Sequence, residues 1–311
     1  MSQFQAWPRI AVVGAGAVGG YFGGMFARAG APILFIGRKH FADAIESKGL
    51  VLDQSHGQER IPIKATTEMS EVRDCSLILL CVKANDTKKT AAQMAPFIRR
   101  DATVVCLQNG VDNAERVRAA ASVLAIPAAV YVAVSVPEPG RVKHLARGDL
   151  IIGPPSKKTT DIAKVFERAG IPCRISENIE GELWTKLLRN CALNAISALG
   201  HVRYGEIAQN THAKQLMQKV VDEVLAVARA ARVVMPGIHD RESGMAAATD
   251  LAMQMTDVFS STAQDLNRGH ATEIDALNGY IARRGAELGV PVPVNHALFT
   301  LVKLAEQRGV T

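Results

Sequence analysis

Residues 9–24 read RIAVVGAGAVGGYFGG, a short apolar run followed at once by glycines in the spacing G-x-G-x-x-G. The apolar run predicts a buried strand over residues 10–13, and residues 21–29 have the pattern of an amphipathic helix. Glycines in this spacing between a strand and a helix are typical of a dinucleotide-binding domain. We therefore expect a dinucleotide to bind along Gly14, Ala15, Gly16, Ala17, Val18 and Gly19.

Each glycine of the motif has a separate physical role. Gly14 permits the tight turn from strand to helix, Gly16 lets the backbone approach a pyrophosphate, and Gly19 lets the helix pack close to the strand. The pyrophosphate would accept hydrogen bonds from the N–H groups at the positive end of the helix. The alternatives are a plain glycine-rich turn and a loop of this kind that serves a flavin.

The end of the second predicted strand, residues 32–36, indicates which dinucleotide binds. An NAD site carries Asp or Glu there to accept hydrogen bonds from the ribose hydroxyls. This chain has no acidic residue between Gly14 and Asp43, and Arg38 follows the strand instead. A guanidinium can form a bidentate pair with a 2′-phosphate, so we predict NADP(H). The alternative is that Arg38 and Lys39 are an ordinary solvated pair in a loop.

Composition limits the class of protein. The 311 residues suffice for two domains, each with its own core. The five cysteines form no C-x-x-C pair and the histidines are isolated, so we expect neither a disulfide framework nor a metal site. The net charge of +6 comes from scattered basic residues, and only 5% of residues are aromatic, which favours small anionic ligands over nucleic acid.

No apolar run approaches the ~20 residues that span a bilayer. The first residues also lack a charged start followed by an apolar segment. We therefore expect a cytoplasmic protein without a membrane partner.

Two further apolar runs, residues 76–82 and 103–107, are typical of parallel strands buried on both faces. The first is followed by Lys83 and the second by Asn109. Ligands of open α/β sheets bind beyond the carboxyl ends of the strands, so both side chains are candidates for contact with cofactor and substrate. The alternative is that both are polar turn residues, since Asn-Gly is a turn dipeptide by itself.

The pattern changes along the chain in a way that predicts two domains. Residues 126–152 indicate antiparallel strands with turns at 137–140 and 147–149, and beyond Asn178 almost nothing is typical of a strand. The fold class is therefore α/β: an N-terminal Rossmann-type dinucleotide-binding domain (residues 1–178) with an antiparallel β extension, followed by an all-helical C-terminal domain (residues 179–311).

The first helix of the second domain carries Lys186, Asn190 and Asn194 at positions i, i+4 and i+8, which places them on one face. Asn is a poor helix former, so two aligned asparagines indicate a polar surface facing a cleft. The alternative is an exposed Lys186 paired with Glu182, with the asparagines satisfied inside the protein.

A break at Gly269 separates two further helices. Thr272 and Asp275 resemble a capping arrangement for a helix that runs to Leu288. Glu273 in its first turn would then be explained by the helix dipole.

The chain resembles the ketopantoate reductase (2-dehydropantoate 2-reductase) family in seven segments that follow the family's order over essentially the whole length. They are residues 14–19, Val82-Lys83-Ala84, Gln108-Asn109-Gly110, Glu182-Leu183-Trp184-Thr185-Lys186 with Asn190 and Asn194, Ser260-Ser261, Thr272-Glu273-Ile274-Asp275 and Gly289-Val290-Pro291-Val292-Pro293.

The resemblance implies NADPH-dependent reduction of 2-dehydropantoate to (R)-pantoate in pantothenate biosynthesis, with cofactor and substrate in the cleft between the domains. It implies that Lys186 is the proton donor and that Glu273 orients this lysine and the bound ligands. It assigns 2′-phosphate contact to Arg38, and contacts around the nicotinamide ribose and the substrate to Lys83 and Asn109. The implied substrate-binding residues are Asn109, Lys186, Asn190, Asn194 and Ser261.

Tyr204 departs from the family pattern, because some members place an asparagine that contacts substrate at this position before Gly-Glu. This departure bears on the identity of the substrate more than on the type of reaction. One alternative is a sister reductase of another branched or aromatic 2-oxo acid, and a second is a non-catalytic NADP-binding redox sensor. Apolar helices over residues 220–231 and 244–255 allow a homodimer but do not require one.

Overall fold

The computed structural model describes residues 6–55 and 57–308, without the side chain of Arg308. The described chain divides into two compact units. The first unit extends to Gln108 and continues over Asp112–Ile179. The second unit comprises Asn109–Val111 and the chain from Glu180 onward, so three residues from the middle of the sequence belong with the second unit.

The first unit is built on one mixed sheet. Its strands, over the described residues, are β1 (Ile10–Val13), β2 (Ile33–Ile36), β3 (Leu50–Gln54), β4 (Gly57–Ile61), β5 (Lys64–Thr66), β6 (Leu77–Leu80), β7 (Thr103–Cys106), β8 (Leu124–Glu138), β9 (Arg141–Ile152) and β10 (Cys173–Ile175). They lie in the order β4-β3-β9-β8-β7-β6-β1-β2-β5, and β10 pairs with β9. This arrangement confirms the predicted Rossmann-type sheet.

The parallel strands end together at one edge of this sheet. Val13 of β1 is in register with Ile36 of β2 and with Leu80 of β6. All four residues of β1 are buried, as a continuous apolar run predicts for a strand covered on both faces. The carboxyl ends of β1, β2 and β6, where the predicted cofactor residues follow, are therefore neighbours.

The antiparallel extension is formed by β8 and β9. The first four residues of β8 pair in parallel with β7, and from Ala128 onward the same strand pairs antiparallel with β9. The predicted turn at residues 147–149 is wrong, because β9 continues to Ile152. Arg147 and Gly148 instead take positive φ angles of 59° and 144° at a shift in register, which is typical of a β-bulge.

The helices of the first unit are α1 (Ala17–Arg28), α2 (Lys39–Lys48), α3 (Thr87–Met94), α4 (Asn113–Ala121) and α5 (Lys157–Arg168). Helix α1 begins four residues earlier than predicted, directly after Gly16. Its Phe26 packs edge-on against Phe166 of α5, with ring centroids 5.1 Å apart. Both rings are fully buried, which fixes the helix that follows the glycine motif against the sheet.

The second unit is helical, as predicted. Its helices are α6 (Ile179–Gly200), α7 (Tyr204–Gln209), α8 (Thr211–Ala230), α9 (Arg241–Gln254), α10 (Ser261–Asn267), α11 (Asn278–Leu288) and α12 (Pro293–Arg308). Among the described residues beyond β10, β pairing is limited to an isolated bridge between Met235 and Ile238. Within the described parts of the chain, no helix combines the length and the apolar character that a membrane crossing requires.

The helix predicted to start at Thr272 begins later. Residues 274–276 form a single 3-10 turn, and α11 starts only at Asn278. Glu273 therefore precedes a short turn and does not lie in the first turn of a long helix.

Candidate active site

The glycine motif forms a tight loop between β1 and α1. The N–H of Gly14 donates to the carbonyl oxygen of Ile36 at 2.9 Å, and Gly14 has a φ of +104°. A Cβ on Gly14 would lie 2.6 Å from the backbone nitrogen of Val82, and one on Gly19 would lie 2.0 Å from the Gly14 carbonyl oxygen. Both positions therefore require glycine for steric reasons.

Gly16 differs from the other two glycines of the motif. A Cβ at this position would meet no described atom within 4 Å, so packing inside the unit does not demand glycine here. Its backbone, with φ −77° and ψ −159°, precedes the first turn of α1. Space that a Cβ would fill, next to the N–H groups that begin a helix, suits the close approach of a pyrophosphate.

Arg38 lies beside this loop. A Cβ on Gly37 would be 3.1 Å from the Cβ of Ala15, which places the end of β2 against the glycine loop. Arg38 is exposed and directly precedes α2, whereas the neighbouring Lys39 is paired with Asp43 at 2.9 Å. No carboxylate follows β2 before Asp43, and Arg38 is the first charged residue after the strand.

Lys83 follows β6 at the same edge of the sheet. The N–H of Cys81 donates to the carbonyl oxygen of Val13 at 2.8 Å, which joins the ends of β6 and β1. Lys83 is half-buried and precedes a short 3-10 turn over residues 84–86. The first unit thus gathers the glycine loop, Arg38 and Lys83 at the carboxyl ends of three adjacent strands.

In the second unit, α6 carries the predicted polar face. Lys186 and Asn190 are half-buried, and Asn194 is only 3% exposed. Lys186 is thus less exposed than the alternative expected, and its pairing with Glu182 stays a prediction. Asn194 is therefore the most buried of the three positions.

Asn194 has partners within its own unit. Its Oδ1 accepts a hydrogen bond from the Tyr204 hydroxyl at 2.7 Å, and its Nδ2 lies 3.4 Å from the Oγ of Ser261. Ser260, the residue before Ser261, donates through its hydroxyl to the backbone carbonyl of Asn194 at 3.0 Å. The alternative that the asparagines are satisfied internally therefore holds for Asn194, and these contacts bring it together with Ser261.

Asn109 and Glu273 are also brought together. The Asn109 Nδ2 donates to Glu273 Oε2 at 2.8 Å, although the residues are 164 positions apart. Asn109 belongs to the second unit, so this contact lies within one compact unit.

The segment that carries Glu273 is anchored by α12. The N–H and the hydroxyl of Thr272 both donate to Glu306 Oε1, at 2.7 and 2.6 Å. Lys303 bridges Glu306 and Asp275 at 2.6 and 3.1 Å. Thr272 and Asp275 are thus held by the last helix and do not cap α11, and the predicted explanation of Glu273 by a helix dipole is wrong.

The charges around Glu306 favour its ionised form. Burial by itself would raise the pKa of Glu306, but hydrogen bonds from Lys303 and Thr272 outweigh it, so the pKa lies below the usual range. A carboxyl group with a lowered pKa contributes stability above its ordinary value and loses it as the pH falls through the lowered value. The anchor is therefore intact at neutral pH and weakens in acid.

We expect Glu306→Gln to destabilise the second unit by about 1–2 kcal/mol at pH 7, because an amide N–H would replace the carboxylate oxygen facing Lys303. The measurement is urea unfolding followed by circular dichroism at several pH values. The difference from wild type should shrink as the pH falls below the usual range of a glutamate carboxyl group and the wild-type side chain becomes protonated. Glu287→Gln, which removes an exposed pair with Arg284, is the control and should change stability by less than about 0.5 kcal/mol. Equal unfolding curves for Glu306→Gln and wild type at pH 7 would contradict the anchoring role.

Two features of this site had no signal in the sequence. Glu306 lies on α12, 34 positions after Thr272, and nothing in the neighbouring sequence marks it as a partner of Thr272. In the sequence, Tyr204 stands out only as a departure from a family pattern, and nothing there indicates its hydrogen bond to Asn194. Over the described residues, no group of three or more His, Cys, Asp or Glu side chains is arranged to hold a metal ion.

Comparison with known proteins extends over both units. The family model described as "Ketopantoate reductase PanE/ApbA" matches residues 10–157, and "Ketopantoate reductase PanE/ApbA C terminal" matches residues 178–306. A 2-dehydropantoate 2-reductase of Pyrococcus horikoshii is 32% identical over 305 residues, which are 97% of this chain and 98% of that protein.

Two solved structures have closely similar folds. A PanE/ApbA family ketopantoate reductase from Ralstonia eutropha is 41% identical with a TM-score of 0.91, covering 97% of this chain and 99% of that one. A D-mandelate dehydrogenase in a ternary structure with NADH and anilino(oxo)acetate is 25% identical with a TM-score of 0.89, at the same coverage.

Proposed function

Because this chain belongs to the ketopantoate reductase family, a family of pyridine-nucleotide-dependent reductases of small molecules, we propose that it reduces 2-dehydropantoate to (R)-pantoate with NADPH. This reaction is a step of pantothenate biosynthesis. The observation that carries the proposal is that one chain combines a glycine loop open at Gly16 with a helix face bearing a half-buried lysine, Lys186. The first feature suits a dinucleotide, and the second suits proton donation to a carbonyl oxygen.

We assign NADPH to the glycine loop, residues 14–19, with Arg38 on the 2′-phosphate and Lys83, Asn109 and Glu273 nearer the nicotinamide end. When bound, the cofactor supplies a hydride to the carbonyl carbon of the substrate. The exposed guanidinium of Arg38 next to the loop, without a carboxylate at the end of β2, supports NADPH over NADH. The D-mandelate dehydrogenase structure contains NADH, so this preference needs a direct test.

The polar residues of the second unit have separate roles in the proposal. The Lys186 ammonium stabilises the negative charge that develops on the carbonyl oxygen and donates the proton that completes the alcohol. Glu273, which accepts a hydrogen bond from Asn109 at 2.8 Å, orients this lysine and the bound ligands. Asn190, Asn194 and Ser261 hold the substrate, whose carboxylate and carbonyl oxygens accept hydrogen bonds.

A second candidate is the reduction of another branched or aromatic 2-oxo acid. The similarity to a D-mandelate dehydrogenase over the full chain favours it, as does Tyr204 at a position where some members of the family have asparagine. The reaction and the roles of the residues would then be the same, and only the substrate side chain would differ. A non-catalytic redox sensor has no comparable support, because it would not use a proton donor.

The loss of NADPH absorbance with 2-dehydropantoate, measured beside NADH and a panel of other 2-oxo acids, tests the proposal. Fast turnover with 2-dehydropantoate and NADPH is the expected result. Turnover only with another 2-oxo acid would select the second candidate. Tight NADPH binding without turnover of any acid would reject both and favour the sensor.

We expect Arg38→Ala to raise KM for NADPH about 10- to 100-fold and to leave KM for NADH nearly unchanged, because the lost hydrogen bonds go only to the 2′-phosphate. The measurement is initial-rate kinetics with each cofactor. Lys39→Ala is the control, since Lys39 is exposed and paired with Asp43. Equal losses with NADPH and NADH would show that Arg38 does not read the 2′-phosphate.

A further inference from the structure

Tyr204 places a phenol in the interior of the second unit. Its side chain is at the start of α7, the residue is 6% exposed, and its hydroxyl donates to Asn194 Oδ1 at 2.7 Å. Burial raises the pKa of the Tyr204 phenol above its usual value, so the group keeps its proton at neutral pH. A buried hydroxyl proton needs an acceptor, and Oδ1 of Asn194 provides it.

The position of this phenol is fixed by backbone contacts. The N–H of Tyr204 donates to the carbonyl oxygen of Val258 at 3.1 Å, and the N–H of Gly205 donates to that of Thr256 at 3.0 Å. On the other side, the Ser260 hydroxyl donates to the backbone carbonyl of Asn194 at 3.0 Å. The backbones of both Tyr204 and Asn194 are therefore held by hydrogen bonds, which fixes the positions from which their side chains make contact.

The phenol determines which way the Asn194 amide points. With Oδ1 committed to the Tyr204 hydroxyl, Nδ2 is directed toward the Ser261 Oγ, 3.4 Å away. A flipped amide would turn its N–H groups toward the phenol and leave the phenol proton without its acceptor. The hydrogen bonds thus run in one direction, from Tyr204 to Asn194 and from Asn194 toward Ser261.

Ser261 is the exposed end of this chain of three residues. Because its oxygen faces the amide N–H of Asn194, its own hydroxyl proton is left to donate outward. We propose that Tyr204 is a positioning residue that, through Asn194, makes Ser261 a hydrogen-bond donor to an oxygen of the substrate that can only accept, as the carboxylate of a 2-oxo acid does. This inference rests on the proposed function, and it assigns to Ser261 an oxygen of the substrate that carries no proton.

The first test is a double-mutant cycle on KM for 2-dehydropantoate. Tyr204→Phe and Ser261→Ala should each raise KM about tenfold, with kcat within about threefold of wild type, because one hydrogen bond to a charged group is lost. In the Ser261→Ala background, Tyr204→Phe should have no further effect on KM. Tyr280→Phe, the same chemical change elsewhere in the second unit, is the control and should leave KM unchanged. Additive effects in the double mutant, or an unchanged KM in Tyr204→Phe, would overturn the proposal.

Asn194→Asp is a second test, which distinguishes a role in hydrogen-bond direction from a role in packing. The substitution nearly preserves shape and still accepts the Tyr204 hydroxyl, but its other oxygen would take the Ser261 proton. KM should therefore rise at least as much as in Ser261→Ala, and an unchanged KM would overturn the proposal. If the wild type reduces no 2-oxo acid, the proposed function fails and this inference fails with it; if the wild type is active and the variants match it, only this inference fails.

Discussion

Replacing Lys186 with alanine is expected to lower kcat by at least about 10³-fold while NADPH binding stays as in the wild type. The ammonium has two tasks in the proposed reaction, to stabilise the developing alkoxide and to donate the proton, and each is worth about 10²-fold or more. Lys186 on α6 is half-buried, and a positioned ammonium is a stronger acid than water, so bulk water is a poor substitute. The measurements are single-turnover NADPH oxidation for the chemical step and fluorescence titration for cofactor affinity.

Two comparisons separate the loss of the amine from a loss of structure. Lys219→Ala removes an exposed lysine from α8 of the same unit and should leave kcat unchanged. Methylammonium added to Lys186→Ala should restore part of the activity, because it returns an ammonium to the space that the side chain has left. A Lys186→Ala enzyme within tenfold of wild-type kcat would reject the assignment of Lys186 as the proton donor.

The parts of the fold that the sequence predicts are those determined by short-range patterns. Gly19 is required by the carbonyl oxygen of Gly14, five positions away, whereas Gly14 is required by the backbone of Cys81 and Val82 beyond β6, a contact that the glycine spacing does not reveal. The buried strands follow from continuous apolar runs, and the polar face of α6 follows from a spacing of four. The Gly19 contact, the apolar runs and the spacing on α6 depend on neighbours a few positions away, so one sequence is sufficient to predict them.

The Glu273 segment shows what a local pattern cannot predict. Thr272 followed by Asp275 has the spacing of a helix cap, but Glu306 binds both the N–H and the hydroxyl of Thr272. Lys303 of the same helix donates to the Asp275 carboxylate at 3.1 Å. The partners come from a helix some 30 positions later, which is a tertiary contact that outweighs the local preference. The family resemblance predicts a role for Glu273, but no local pattern predicts how its segment is held.

The orientation of Asn194 is a similar case. Its spacing from Lys186 placed it on the polar face, and α6 confirms that placement. The Tyr204 hydroxyl, which belongs to a different helix, donates to Oδ1 of the Asn194 amide and so determines the orientation of that amide. Spacing therefore predicted that Asn194 lies on the polar face of α6, whereas the direction of its hydrogen bonds required the fold.

Gly16→Ala is expected to raise Kd for NADPH at least about 100-fold without lowering stability. Gly19→Ala is expected to lower the stability of the fold, even before any cofactor is added. A Cβ on Gly16 meets open space and the backbone angles there suit alanine, so the added methyl group obstructs only the approach of the pyrophosphate. Loss of two hydrogen bonds to a charged group accounts for a factor of this size. A Cβ on Gly19 would lie 2.0 Å from the Gly14 carbonyl oxygen, so the loop must shift at a cost of about 2–3 kcal/mol.

Calorimetric titration of NADPH and urea unfolding of both variants provide the comparison. Gly16→Ala should unfold at the wild-type urea concentration and bind NADPH weakly, while Gly19→Ala should unfold at a lower urea concentration before any ligand is added. Wild-type affinity in Gly16→Ala would place the pyrophosphate away from Gly16 and remove the main support for the cofactor site. Wild-type stability in Gly19→Ala would contradict the tight packing of the loop, because the carbonyl of Gly14 could then move aside at no cost.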